Sequence, residues 1–302
     1  SGVAVAAQAA TMRIATASAL RYMKRASSAK NERARDGLFA IPYSLRQFRT
    51  GARRHQGKRL GAALPLLLAL TTGAAARPAA AWPEFLEPRD ALPSDVIAAV
   101  ERVWHEPTLS RTVRGRPARV PFAVHAAFVD TPEVTAAAAR VRGLARYEVE
   151  LLGEDRYLAD DGDGARGRYQ VLRREPKRRV ILSWGEHTGR LLGTIHGSAL
   201  TVLDFEPRDD QVEQELTAYV RIENRFAAAV ARVLIALFGF VADRKLTEGL
   251  RVTAGVAEWA VERPDEFCAW LAREPLAEER RARMLAALPA CAGAPASVRG
   301  PS

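Results

Sequence analysis

Apolar and polar positions change their period several times along the chain, and each change predicts an element. Residues 82–93 are proline-rich and read as a connecting arm. Ser94-Asp95 reads as the cap of a short helix, Val96 to His105, with Val96, Val100, Val103 and Trp104 on its apolar side. Arg111 to Arg119 is basic and polar, contains Gly115 and Pro117, and reads as a linker. From Val120 the pattern alternates. Phe122, Val124, Ala126 and Phe128 share one side and predict a strand, which places His125 on the opposite, solvent side. Asp130-Thr131-Pro132-Glu133 then opens an alanine-rich helix that runs to about Gly143, with the proline in its first turn.

Short strands follow. Tyr147, Val149 and Leu151 alternate with charged neighbours, Arg156 to Ala159 is a weaker strand, and residues 160–164 (DDGDG) read as a solvated turn rather than a calcium loop, whose later glutamate is missing. Tyr169 and Val171 mark the next strand, Pro176-Lys177 a turn, and Val180, Leu182 and Trp184 another strand. Gly185 to Gly189 reads as a turn, Arg190 to Ile195 as a strand, and Ala199 to Phe205 with Val212 to Ile222 as a hairpin. From Asn224 to about Val261 the period is helical, with Phe226, Val230, Val233, Leu234, Leu237 and Val241 recurring at helix spacing. Pro264 ends that helix, and two short helices near 265–272 and 276–288 close the chain.

The order strand, helix, about six antiparallel strands, long helix resembles the START/Bet v 1-like (SRPBCC) superfamily. The resemblance is carried by VPFAVHAAFVDTPEV (120–134), by the hairpin GSALTVLDFEPRDDQVEQELTAYVRIE (197–223) and by the amphipathic helix after it. It implies an α+β helix-grip fold: a curved antiparallel sheet of about six to seven strands wrapped around a long C-terminal helix, here with a short helical tail. The implied division is an arm at 82–119, a START-like domain at 120–262 and a tail at 263–302. The resemblance also implies an apolar cavity between sheet and helix. Small residues such as Ala126, Ala199, Ala218, Ala227–Ala229 and Ala236 would leave room there, or would allow close helix–sheet packing.

Aromatic side chains with a polar handle suit the head of an amphipathic ligand, or an ordinary core. Tyr147, Tyr169, Trp184 and Tyr219 are such residues, although Tyr219 alternates with Ala218 and Val220. With His196 at a strand end and Phe226, Val230 and Leu234 on the long helix, they form the set of cavity residues expected from the sequence. His105, His125, His187 and His196 are scattered and lack metal-ligand spacing, and no GxSxG, Walker or GxGxxG motif occurs. No metal and no cofactor are therefore expected. Arg173, Arg174, Lys177, Arg178 and Arg179 form a basic hairpin tip, either a solvated turn or a peripheral contact for an anionic membrane surface.

Charge alters the picture less than the total of +10 suggests. Residues 82–302 hold 31 Lys and Arg against 33 Asp and Glu, so the excess cations all lie upstream and a nucleic-acid partner is not expected. The upstream stretch GKRLGAALPLLLALTTGAAARPAAAW (57–82) reads as an export signal within residues 53–81: a basic start, an apolar run too short to span a bilayer, then small residues. Its distance from Ser1 fits either upstream sequence ahead of the true start or a bipartite organelle address. Residues 1–81 are thus expected to stand outside the fold, and the protein to be periplasmic or secreted, or carried into an organelle lumen. Export would permit a disulfide between Cys268 and Cys291, the only two cysteines.

Three functions remain open at this level. The first is binding or transport of a hydrophobic small molecule or lipid. The second is a cyclase/aromatase-type enzyme on the same fold, with an acid or base such as His196, Tyr169 or Asp204. The third is a filled-core interaction module that meets its partner through the charged helix at Glu278-Glu279-Arg280-Arg281.

Overall fold

The computed structural model describes residues 81–189 and 193–292, except the side chains of Gly189, Arg225, Phe226 and residues 230–242. The leader falls outside these residues. The arm makes two 3-10 turns, Glu84–Leu86 and Arg89–Ala91, before helix α1 at Ser94–His105. Pro93 stands at its N-cap without a side-chain cap, and Asp95 in the first turn complements the helix dipole instead.

Strand β1, Leu109–Arg114, lies where a linker is expected from the sequence. It pairs antiparallel with the last strand, Leu109 opposite Val220 and Arg114 opposite Glu215. Only Leu109 and Val113 of this strand are buried, so its alternation is faint in the sequence and its partner is over a hundred residues away.

The segment expected as a strand after Val120 is helix α2, Phe122–Asp130, followed at once by α3, Pro132–Val141. Nearly every position from Phe122 to Val129 is apolar, so a period of two and a period of 3.6 fit equally well. The helix is buried on most of its circumference, and His125 is fully buried rather than solvent-facing.

Six strands follow: β2 Glu148–Gly153, β3 Arg156–Asp160, β4 Ala165–Glu175, β5 Arg178–Gly189, β6 Gly193–Arg208 and β7 Gln211–Ile222. Gly185 to Gly189, expected as a turn, continues β5 in full register with β6. Gly164, with φ of +102°, closes the β3–β4 turn, where an added Cβ would sit 2.6 Å from the Thr188 carbonyl oxygen. The seven strands form one antiparallel sheet in the order β1-β7-β6-β5-β4-β3-β2.

Helix α4, Arg225–Glu262, is capped by Asn224, whose side chain accepts from the Ala227 amide at 3.0 Å. Pro264 starts α5, Pro264–Arg273, and α6 spans Glu278–Ala287. The architecture is an α+β helix-grip, a curved seven-stranded antiparallel sheet with the long helix on one face. That inner face and α2 to α6 enclose the main core. The arm and α1 cover part of the outer face, where Val96, Val100 and Val103 pack on Val180, Leu182 and Leu200. Among the described residues no helix is long and apolar enough to cross a membrane.

Candidate functional site

Residues directly opposite in an antiparallel sheet share a face, so the strand register sorts every side chain. One inner row runs Leu151, Tyr157, Tyr169, Ser183, Ala199, Val220 from β2 to β7. The next inner row runs Val149, Ala159, Gly167, Gly185, Gly197, Ile222. Three central strands thus present glycine, side by side, to the interior. Adjacent strands are about 4.8 Å apart, so the glycines clear a strip about 10 Å long, closed by Ala159 at one end and Ile222 at the other. Among the described residues α4 packs chiefly on β1, β7, α2, α3 and α5.

One of the expected cavity residues borders this strip. Tyr169 lies in the neighbouring row, buried and stacked on Tyr157 at 4.9 Å between ring centroids. Tyr147, just ahead of the edge strand β2, has the parity of Val149 and joins the same core. Its hydroxyl is buried and has no hydrogen-bond partner among the described residues. Burial pushes the Tyr147 and Tyr169 phenols up from their ordinary value, Tyr169 also through Tyr157, Glu133 and Tyr147, so both stay protonated at neutral pH.

The other expected strand residues lie on the opposite face, where Trp184 and His196 line a groove of about 980 Å³ with the same three glycines. Trp184 and His196 project from the outer face, in the rows Arg168–Trp184–Ser198 and Arg166–Glu186–His196. His196 is exposed, with Nδ1 3.6 Å from Glu186. Tyr219 is also outside, edge-on to Trp104 of α1 at 4.7 Å. Asp204 is on the outer face as well, accepting from Arg178 at 2.6 Å. The sequence-level set mixed the two faces because strand parity cannot be phased until the register is known. Phe226, Val230 and Leu234 belong to α4, but their side chains lie outside the described residues.

Below Tyr169 the core holds charges that sequence reasoning did not bring together. Asp130, at the end of α2, receives Arg179 through two bonds of 2.7 and 2.8 Å and also receives Arg174. Burial alone would raise the Asp130 carboxyl; the two arginines outweigh it and hold it below the usual range. Arg174 also reaches Asp155 at 2.6 Å. Arg280 turns inward from α6, 3.5 Å from Glu133, and donates to the Tyr157 hydroxyl at 3.3 Å and to the Asp130 carbonyl at 3.2 Å. Burial, partly offset by Arg280, raises the Glu133 carboxyl. Three carboxylates therefore face three guanidinium groups. Glu133 was legible only as a first-turn acid of α3, and Arg280 only as part of a charged helix.

The hairpin tip does not keep free cations. Arg173 pairs with Glu175, Arg174 and Arg179 with Asp130, Lys177 with Glu206, and Arg178 with Asp204. Cys268 of α5 and Cys291 of the last 3-10 turn are joined in a disulfide that closes the tail on itself around α6. Among the described residues no group of His, Cys, Asp and Glu is arranged to hold a metal ion.

No family model matches the chain, and no curated protein does. Solved structures to which the chain is similar include a conserved protein from Geobacillus kaustophilus, 19% identical, with a TM-score of 0.36 over 50% of this chain and 93% of that one. Ara h 8.0201 is 6% identical, with a TM-score of 0.31 over 49% and 98%. The di-domain ARO/CYC BexL from the BE-7585A biosynthetic pathway is 16% identical, with a TM-score of 0.33 over 55% of each chain. The fold assignment rests on the strand order and helix placement of the chain itself.

Proposed function

We propose that the protein binds a hydrophobic small molecule or lipid between the inner sheet face and α4. The observation that carries this reading is the glycine row Gly167–Gly185–Gly197, in a core that also holds Tyr147, whose buried hydroxyl lacks a partner among the described residues. A sheet face that withholds side chains over three adjacent strands leaves volume for something else to fill. Apolar burial, at about 25 cal/mol per Å², would supply most of the binding energy, and the phenols would fix orientation. Two of the three acid–base groups that an enzyme reading would use, His196 and Asp204, point away from this interior. Binding is therefore preferred over catalysis. Export completes the proposal, because a disulfide such as Cys268–Cys291 persists in an oxidising compartment.

Titration of the full chain with an environment-sensitive apolar dye tests the site. The reading expects saturable binding that Gly185→Val removes and His196→Ala leaves intact. Equal binding by the wild-type and Gly185→Val proteins would place the ligand elsewhere.

A further inference from the structure

We propose that the outer face of the sheet carries a second site, which takes an organic phosphate monoester with a flat ring. The site is the groove of about 980 Å³ that Trp184 and His196 line, on the side of the sheet away from the inner ligand.

The groove is polarised in charge. Arg156 of β3 and Arg166 and Arg168 of β4 line one side, and Glu186 of β5 and Glu223 beyond β7 line the other. Arg166 and Arg168 are two residues apart on one strand, so they rise from the same face about 7 Å apart. Arg156 stands directly opposite Gln170, which sets it diagonal to Arg168 at about 7–8 Å. All three arginines are exposed.

The register explains why these cations stay available. Arg168 has Leu158 and Trp184 as its row neighbours, and Arg156 has Gly153 and Gln170, so neither stands opposite a carboxylate. Arg166 lies between Asp160 and Glu186, but both acids are engaged elsewhere. Asp160 accepts from the Gly162 amide at 2.8 Å, and Glu186 lies 3.6 Å from Nδ1 of His196. Among the described residues none of the three arginines is in an ion pair. The hairpin tip is the contrast, since Lys177 and Arg178 there meet Glu206 and Asp204 on the neighbouring strand. Three guanidinium groups facing one groove suit an anion of more than one charge. A phosphate monoester carries about −1.5 to −2 at neutral pH and offers three acceptor oxygens to planar donors.

The flat ring comes from the row that holds Arg168. Trp184 on one side of it is half-buried; it packs on the cluster under α1 and also lines the groove. Leu158 on the other side lines the groove too, and Leu152, 44% exposed, extends its apolar surface towards the sheet edge. A planar body laid on this row places an anionic substituent among the arginines. The volume is that of a small-molecule site.

The test is calorimetric titration of the full-length protein at neutral pH with 2-naphthyl phosphate, 2-naphthol and inorganic phosphate. The expected result is one site for 2-naphthyl phosphate, about tenfold tighter than for either fragment and weakened by added salt. Arg166→Gln/Arg168→Gln alters two exposed side chains, so its urea midpoint should match the wild type. Its affinity for 2-naphthyl phosphate should fall about tenfold, and its binding of the apolar dye should not change. Equal binding of 2-naphthol and 2-naphthyl phosphate, undiminished affinity in the arginine variant, or displacement of the dye by 2-naphthyl phosphate would each overturn this inference and leave the inner-site reading standing. Binding to phosphatidylserine vesicles without binding of 2-naphthyl phosphate would overturn it in favour of a membrane contact. Absence of dye binding alone would overturn the inner-site reading and not this one.

Discussion

Arg280 and Tyr157, 123 residues apart in the chain, meet in the core, the guanidinium donating to the phenol oxygen at 3.3 Å. The contact makes the tail part of the domain: α6 delivers a cation to the buried Glu133, and the pair is only 7% and 12% exposed at its side chains. Removing one partner of a buried ion pair strands the other charge. Arg280→Met is expected to cost about 3–5 kcal/mol in urea unfolding, and Arg280→Met/Glu133→Gln to recover much of it. Equal losses in the single and double variants would mean that the two groups are not coupled.

The disulfide secures that delivery. Cys268 and Cys291 are 23 residues apart, a loop whose cross-link stabilises by about 3 kcal/mol on loop-closure entropy. The Cys268→Ser/Cys291→Ser protein should unfold at lower urea by that margin, and a dithiol should bring the wild type to the same midpoint. An unchanged midpoint in both cases would show that packing alone holds the tail.

His125 makes stability depend on pH. Burial lowers its pKa from 6.5 to about 4, and neither ring nitrogen has a hydrogen-bond partner among the described residues. The unfolded chain therefore takes up the proton first. The stabilisation is complete above pH 6.5 and drains away as pH falls towards 4, a loss of up to about 3 kcal/mol. His125→Phe, a comparable ring beside Phe205, should flatten the stability curve over that window. A curve of the same slope in the variant would assign the effect to other groups.

The two sheet faces should respond differently to mutation. Trp184→Phe and Tyr219→Phe alter the outer cluster under α1 and are expected to shift stability by about 1 kcal/mol or less without changing apolar-dye affinity. Tyr169→Leu, on the inner face, removes the stack on Tyr157 and should weaken the dye. Loss of dye affinity in Trp184→Phe but not in Tyr169→Leu would put the ligand on the wrong face of the sheet for this account.

Some of this was legible in the sequence. The long helix, its Asn224 start, the stop at Pro264 and the β6–β7 hairpin follow from period and punctuation alone. Helix α2 was not legible, because a run as uniformly apolar as Phe122–Val129 carries no phase. Strand β1 was hidden because only Leu109 and Val113 alternate in it, and the pairing with β7 that makes it a strand is non-local. The glycine row was misread for a related reason. Gly185 next to Gly189 looks like a turn until the register sets Gly185 between Gly167 and Gly197. The site is a property of three strands seen side by side, and that adjacency is not written in any one segment.

The most direct test of the central claim is native mass spectrometry of the protein purified without detergent, beside the Gly185→Val variant. The account predicts that the wild-type protein carries or takes up one apolar molecule per chain, recoverable by solvent extraction, and that the variant does not. A wild-type protein that holds no adduct and binds no apolar dye would contradict it and leave a sheet whose glycines serve only close packing.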